Sequence, residues 1–439
     1  MHYRKLLFSA AAAFVLGLSA GRAQDDVYPA KPYNGMLIIK NGTIHVGNGQ
    51  VIENGSIEVK ADKITRVGAN IPVPVDDVKV FDAQGKHVYP GLILSVSNLG
   101  LVEVPTVRAT SDAREIGDVN PSIRSLVAYN TDSKIINTVK SNGVLLANIV
   151  PDGGLISGSS SVVQLDAWNW EDAAYHADGG MHFRMPSLYN RPNPFAAFLG
   201  TQASAGDPVK RGLEQIEQVK AYFREAKAYA AAKELKETNL KMEATRNLFN
   251  RKQKLFIHCD VVREMLVAVD FVKEFGMDVV IVGGSESWQI AELLKQYNIP
   301  VILNQMHSLP TAPDDDVDQP FKTASQLRKA GVLFAINDED GQHRGKNLPF
   351  NAGTAAAYGL GREEALQAIT LDAARILGIA DRTGSIEAGK DANIVISEGD
   401  ILDMRSSRVT QAFIQGRHLD LTDKHKQLYE RYMKKYELK

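Results

Sequence analysis

Residues 255–284 read Leu255-Phe-Ile-His258-Cys259-Asp260, then Val261 through Phe275 at helical spacing, then Met277-Asp278-Val-Val-Ile-Val282-Gly283-Gly284. A short apolar run, an amphipathic stretch and a second apolar run make a β-α-β unit, whose two strands lie parallel under a crossover helix. The alternation continues in both directions. From about 91 to 370 we count eight apolar runs: Leu92–Val96, Val144–Val150, Val162–Leu165, Met181–Met185, Leu255–His258, Asp278–Val282, Pro300–Leu303 and Val332–Ile336. Helical patterns such as Val261–Phe275 and Trp288–Tyr297 follow several of them. The expected fold is therefore α/β, a closed (β/α)8 barrel over residues 91–379 with its chemistry at the C-terminal ends of the strands.

Outside this region the period changes. Residues 36–90 alternate in the strand manner with polar turns such as Asn41-Gly42, and strand patterning returns at Gly384–Gly416. We expect one small β-sandwich domain made from both chain ends, residues 34–90 and 380–420. Within the barrel, residues 206–250 read as a helical insertion, with Leu213, Ile216, Val219, Phe223 and Ala226 on one face. A charged helical tail, 421–439, closes the chain, with Thr422 or Asp423 placed to cap it.

Composition excludes several classes. The chain has 439 residues, 44% of them hydrophobic, enough for a large core and too many for a disordered protein. A single Cys allows neither an internal disulfide nor a Cys-rich zinc site. A net charge of −2 offers no electrostatic footprint for nucleic acid. At the start, Arg4 and Lys5 precede the apolar stretch Leu6–Ala20 and the small-residue pair in Gly21-Arg22-Ala23. That is the pattern of an export signal over residues 1–23, too short for a membrane span, and it places the mature protein in the periplasm of a Gram-negative source.

Three stretches carry a family likeness. Asn41-Gly-Thr-Ile through Val88-Tyr-Pro90-Gly91-Leu-Ile93 resembles the opening of amidohydrolase-superfamily enzymes. Ala374-Arg-Ile-Leu-Gly378 with Asp381-Arg-Thr-Gly384-Ser-Ile-Glu-Ala-Gly389-Lys390-Asp391-Ala392-Asn-Ile-Val395 resembles their C-terminal signature. Asn347-Leu-Pro349 and Ala357-Tyr-Gly-Leu360 are similar to the imidazolonepropionase-like, exported branch. The resemblance implies a barrel holding one or two divalent, zinc-like metals that activate water for attack on a C–N or related bond. Its ligands would be a His-x-His after strand 1, Lys or Glu at strand 4, His at strands 5 and 6, and Asp at strand 8.

Carried over residue by residue, most of these positions are changed. The strand-1 Asp falls on Leu94 and the two His on Val96, which has no donor atom, and Asn98, which offers a neutral oxygen. Met181-His182-Phe-Arg-Met185 ends without Lys or Glu, and His182 reads as a core or rim histidine. Gly283 stands where strand 6 should supply His. His258 is kept, and Cys259 beside it points away by strand alternation. At strand 8, alignment on Ala335 selects Glu339 and residue type selects Asp338.

The expectation is thus an exported hydrolase of non-peptide C–N bonds with an altered, at most mononuclear site. Asp338 or Glu339 would act in catalysis, His258 and Asn98 would be ligands, and Arg108, Arg114 and His343 would contact substrate. The alternative is an inactive relative that binds a small molecule or an active paralogue. In either case the partners are a small molecule and a second subunit, of its own kind or of that paralogue, with no nucleic acid and no membrane span. Asp314–Asp318 reads as a solvated acidic face.

Overall fold

The computed structural model describes residues 27–74, 78–189, 207–234, 237–304, 306–338 and 342–438, so the expected export signal over residues 1–23 lies outside the described residues. The eight apolar runs all form strands of one sheet. In chain order they are β6 (Leu92–Ser97), β7 (Val144–Ile149), β8 (Ile156–Gln164), β9 (Ala174–Arg184), β10 (Lys254–Cys259), β11 (Val279–Gly283), β12 (Val301–Leu303) and β13 (Phe334–Ile336), and spatial order follows chain order. One face of the sheet buries Ile93, Leu146, Phe256, Val280, Ile302 and Ala335 inside the barrel, and the other face packs on helices. The helix Leu371–Leu377 plugs one end, its Ala373, Ile376 and Leu377 joining the inner cluster. Lys254 Nζ caps its C-terminal carbonyls, reaching Ile376 O at 2.6 Å and Arg375 O at 3.2 Å.

Two features depart from a regular parallel barrel. β8 runs antiparallel to both β7 and β9, while every other neighbouring pair is parallel. Only six residues, 150–155, link β7 to β8, far fewer than a crossover helix needs, so the chain turns back as a hairpin. The C-terminal end of β8 therefore faces away from the barrel mouth.

The second departure is at the seam. β6 and β13 are the two ends of the hydrogen-bonded path, and the side chain of Asn337 ties them together. Its Oδ1 accepts from Ser95 N (2.9 Å) and Val96 N (3.1 Å), and its Nδ2 donates to Val96 O (2.9 Å) and Asn304 Oδ1 (3.1 Å). The carboxamide thus supplies the donor and acceptor that a paired strand would have supplied.

A separate sheet contains strands from both chain ends. β1 (Met36–His45), β2 (Val51–Lys60), β3 (Lys63–Ala69), β4 (Val78–Asp82) and β5 (His87–Pro90) pair with β14 (Ile394–Ser397), β15 (Val409–Ile414) and β16 (Arg417–His418). β14 docks antiparallel on β5, which continues through Gly91 into the first barrel strand. In the helical insertion, Pro208–Ala231 forms one helix, capped by Asp207. It buries Gly212, Ile216, Val219, Phe223 and Ala226, while Leu213 is 51% exposed, so Gly212 takes the place of Leu213 in the buried stripe.

Candidate functional site

The mouth of the barrel holds a cavity of about 670 Å³ over the ends of β9, β10, β11 and β12. Its polar lining includes Arg184, His258, Asp260, Ser285 and Asn304. His258 faces the cavity from β10, and behind it His182 Nδ1 lies 2.9 Å from His258 Nε2. His182 is fully buried, stacked on Phe256 at 5.0 Å between ring centroids, and its Nε2 has no partner. Burial pushes both imidazoles well below the ordinary histidine pKa, and the Arg184 guanidinium adds to this in each case. Both rings are therefore neutral at pH 7. One donates and the other accepts across this contact, which fixes the orientation of the His258 ring at the cavity wall.

At the neighbouring strand end, Asp260 accepts from Ser285 Oγ at 2.8 Å. Gly283 has φ +103, and a Cβ there would lie 2.7 Å from Asp260 Oδ1. The space where the strand-6 imidazole would be anchored is thus filled by the Asp260 carboxylate. Glu264 is spent on backbone N–H groups, accepting from Leu188 N (3.0 Å) and Asp260 N (3.3 Å). The Cys259 thiol is buried and burial pushes its pKa well up, which makes it a poor nucleophile.

Across the seam, Asp338 is 5% exposed, and its Oδ2 accepts from Asn351 Nδ2 at 3.2 Å. Arg344 Nε stands 3.9 Å from its Oδ1. Its chain neighbour Asn337 donates to Asn304, which lines the cavity wall; Asp338 itself is not part of that lining. Asn98 follows β6, and its Oδ1 is buried without a partner. Val96 sits in the apolar inner cluster, away from any polar role.

The expected substrate contacts are placed differently. Arg114 pairs with Asp152 (Nη2 to Oδ2, 3.1 Å), and Arg184 takes the other oxygen of the same carboxylate (2.9 Å). Burial opposes ionisation of Asp152, but Arg184, Gly153 N–H and Arg114 outweigh it and hold the carboxyl below the usual range. Arg108 is exposed in a short helical turn and does not line the cavity. Glu339 lies outside the described residues, as does the side chain of His343. The Asp314–Asp318 run is mostly exposed, with Asp316 and Asp318 paired to Lys322. Arg184, Asn304 and Asn337 were not singled out in the sequence, where no motif marks them; only the Gly283-Gly284 pair hinted at close approach.

Known proteins share parts of this sequence and its fold. The amidohydrolase family model matches residues 290–418. An amidohydrolase from Thermotoga maritima MSB8 superposes with a TM-score of 0.75 and 27% identity, covering 88% of this chain and 99% of that one. In sequence and fold the chain is similar to the amidohydrolase superfamily. Among curated proteins, amidohydrolase tasK of Hapsidospora irregularis is 22% identical over 404 residues, covering 82% of this chain and 39% of that protein. The chain therefore spans about two-fifths of that relative's length. A prolidase complexed with N-methylphosphonate-L-proline (TM-score 0.54, 16% identity, 88% and 99% coverage) and a zinc-bound adenosine deaminase from Xanthomonas campestris (0.52, 14%, 92% and 99%) share the fold.

Members of this superfamily usually bind metals. Among the described residues, no group of three or more His, Cys, Asp or Glu side chains converges as a metal site. The donors expected from the family likeness, His258, Asp338 and the neutral Asn98 oxygen, fall short of the three imidazole or carboxylate donors of ordinary catalytic zinc. These residues do not fit the two-metal centre, and we assign no chemical step to a metal.

Proposed function

We infer that the chain is a hydrolase of C–N bonds, a reading supported by its likeness to the amidohydrolase superfamily. We propose that the chain is an exported hydrolase of small, non-peptide C–N compounds with a reduced catalytic centre. One observation carries this reading: Asp338, a carboxylate buried at the end of β13 and oriented by Asn351, directly follows Asn337, whose side chain bonds Asn304 in the wall of the cavity that His258 lines. In this scheme Asp338 takes a proton from water as the water oxygen bonds to the carbonyl carbon. The C–N bond then breaks, and the same proton passes from Asp338 to the leaving nitrogen. His258, held neutral and fixed by His182, presents an uncharged imidazole to the cavity. The Leu6–Ala20 segment with its basic and small-residue flanks supports export.

The test is hydrolysis by the mature protein across a panel of cyclic and linear amides, with Asp338→Asn as control. Turnover lost in that variant supports the reading, and turnover unchanged by it overturns the role of Asp338. A second reading, binding without turnover beside an active relative, is favoured by Val96 in the apolar cluster and by Asp260 filling the strand-6 space. It predicts no hydrolysis of any panel member, with ligand binding that survives Asp338→Asn.

A further inference from the structure

The helix Lys424–Lys435 lies beyond the residues matched by the family model, and none of its residues is buried. It is attached at its first turn. Asp423 Oδ1 accepts from His425 N (2.8 Å) and Lys426 N (3.0 Å), and Asp423 Oδ2 accepts from Ser141 Oγ (2.6 Å). Twelve residues is near the lower limit for a helix in water without tertiary cover, so a stable helix here calls for a surface to lie on.

Its sequence says which surface. At 3.6 residues per turn, Leu428, Tyr429, Tyr432, Met433 and Tyr436 fall on one side. Tyr429, Tyr432 and Tyr436 are 65%, 51% and 60% exposed, so the body of the protein leaves the tyrosines of this stripe uncovered while Leu428 and Met433 are partly covered. Lys424, Arg431 and Lys435 border it on one side and Lys426 on the other, with Lys434 behind and Glu430 the only acid within the helix. A second copy laid on the same face would bring two cationic helices together. An anionic lipid surface fits instead: tyrosine rings favour the headgroup region, and lysines reach past them to lipid phosphates.

We propose that this helix docks the protein on an anionic membrane surface, lying in the interface without crossing it. The test is co-sedimentation of the full mature chain with phosphatidylcholine vesicles, with and without 30% phosphatidylglycerol, at two salt concentrations. Binding only to the anionic vesicles, weakened by salt and reduced about tenfold or more by Lys424→Glu, Lys426→Glu, Lys434→Glu and Lys435→Glu together, is the expected result. Tyr432→Ser with Tyr436→Ser should weaken binding at unchanged charge, and arginine at the four lysine positions should preserve it. Because the helix buries no residue, an unchanged melting temperature shows that the variants are folded. Equal binding to both vesicle types, no binding, or a dimer in light scattering that the tyrosine variant dissolves would each overturn the proposal.

Discussion

His182 Nδ1 and His258 Nε2 meet at 2.9 Å behind the wall of the barrel-mouth cavity, two neutral imidazoles sharing one hydrogen bond. Their folded pKa values lie below the unfolded value of about 6.5, so the unfolded chain binds more protons at lower pH. Their contribution to stability is complete above about pH 6.5 and is lost as pH falls through the window below it. Each such site adds up to about 1.4 kcal/mol per pH unit to the slope. Urea unfolding between pH 7 and 5 should therefore show a shallower dependence in His182→Gln than in the parent, and an unchanged slope would remove the pair from this account.

The seam between β6 and β13 gives a second prediction. Asn337→Ala strands the Ser95 and Val96 N–H groups and Val96 O in a buried place, at about 1–3 kcal/mol for each unsatisfied group. The variant should lose roughly 3–6 kcal/mol in chemical denaturation. A loss below about 1 kcal/mol would mean the barrel closes by other contacts.

Gly283 is predicted to resist restoration of the strand-6 ligand. Gly283→His places a side chain at φ +103 and a Cβ 2.7 Å from Asp260 Oδ1. It should cost at least about 2 kcal/mol without adding metal affinity. A stable variant that binds zinc would show that the space is open.

Asp338→Asn keeps the size of the side chain and removes the base. If the proposed chemistry holds, kcat should fall by about 100-fold or more, with KM little changed. Equal activity in both proteins across the panel would transfer the role to another group.

Much of this architecture was legible in the sequence. Each barrel strand contains one of the eight apolar runs, because burial on both faces favours apolar residues, although β8 and β9 extend beyond theirs through Gly158-Ser-Ser-Ser161 and Ala174–Gly180; the return of strand patterning after Gly384 likewise marked β14 to β16. The reversal of β8 was not legible, since Val162–Leu165 reads the same in either direction and only the length of the preceding link reveals it. The losses at Val96 and Gly283 were visible as residue types. The reason Gly283 cannot change was not, because it lies in the position of Asp260 across the strand end. Asn337 was invisible for a similar reason: its role depends on where the two ends of an eight-stranded path meet.

The central claim is that the described centre does not hold the family's pair of metals, and metal analysis of the mature protein tests it most directly. After expression with zinc, manganese and iron supplied, elemental analysis should find no more than one equivalent per chain, and Val96→Ala should leave that content unchanged. Two tightly bound equivalents per chain would contradict the account.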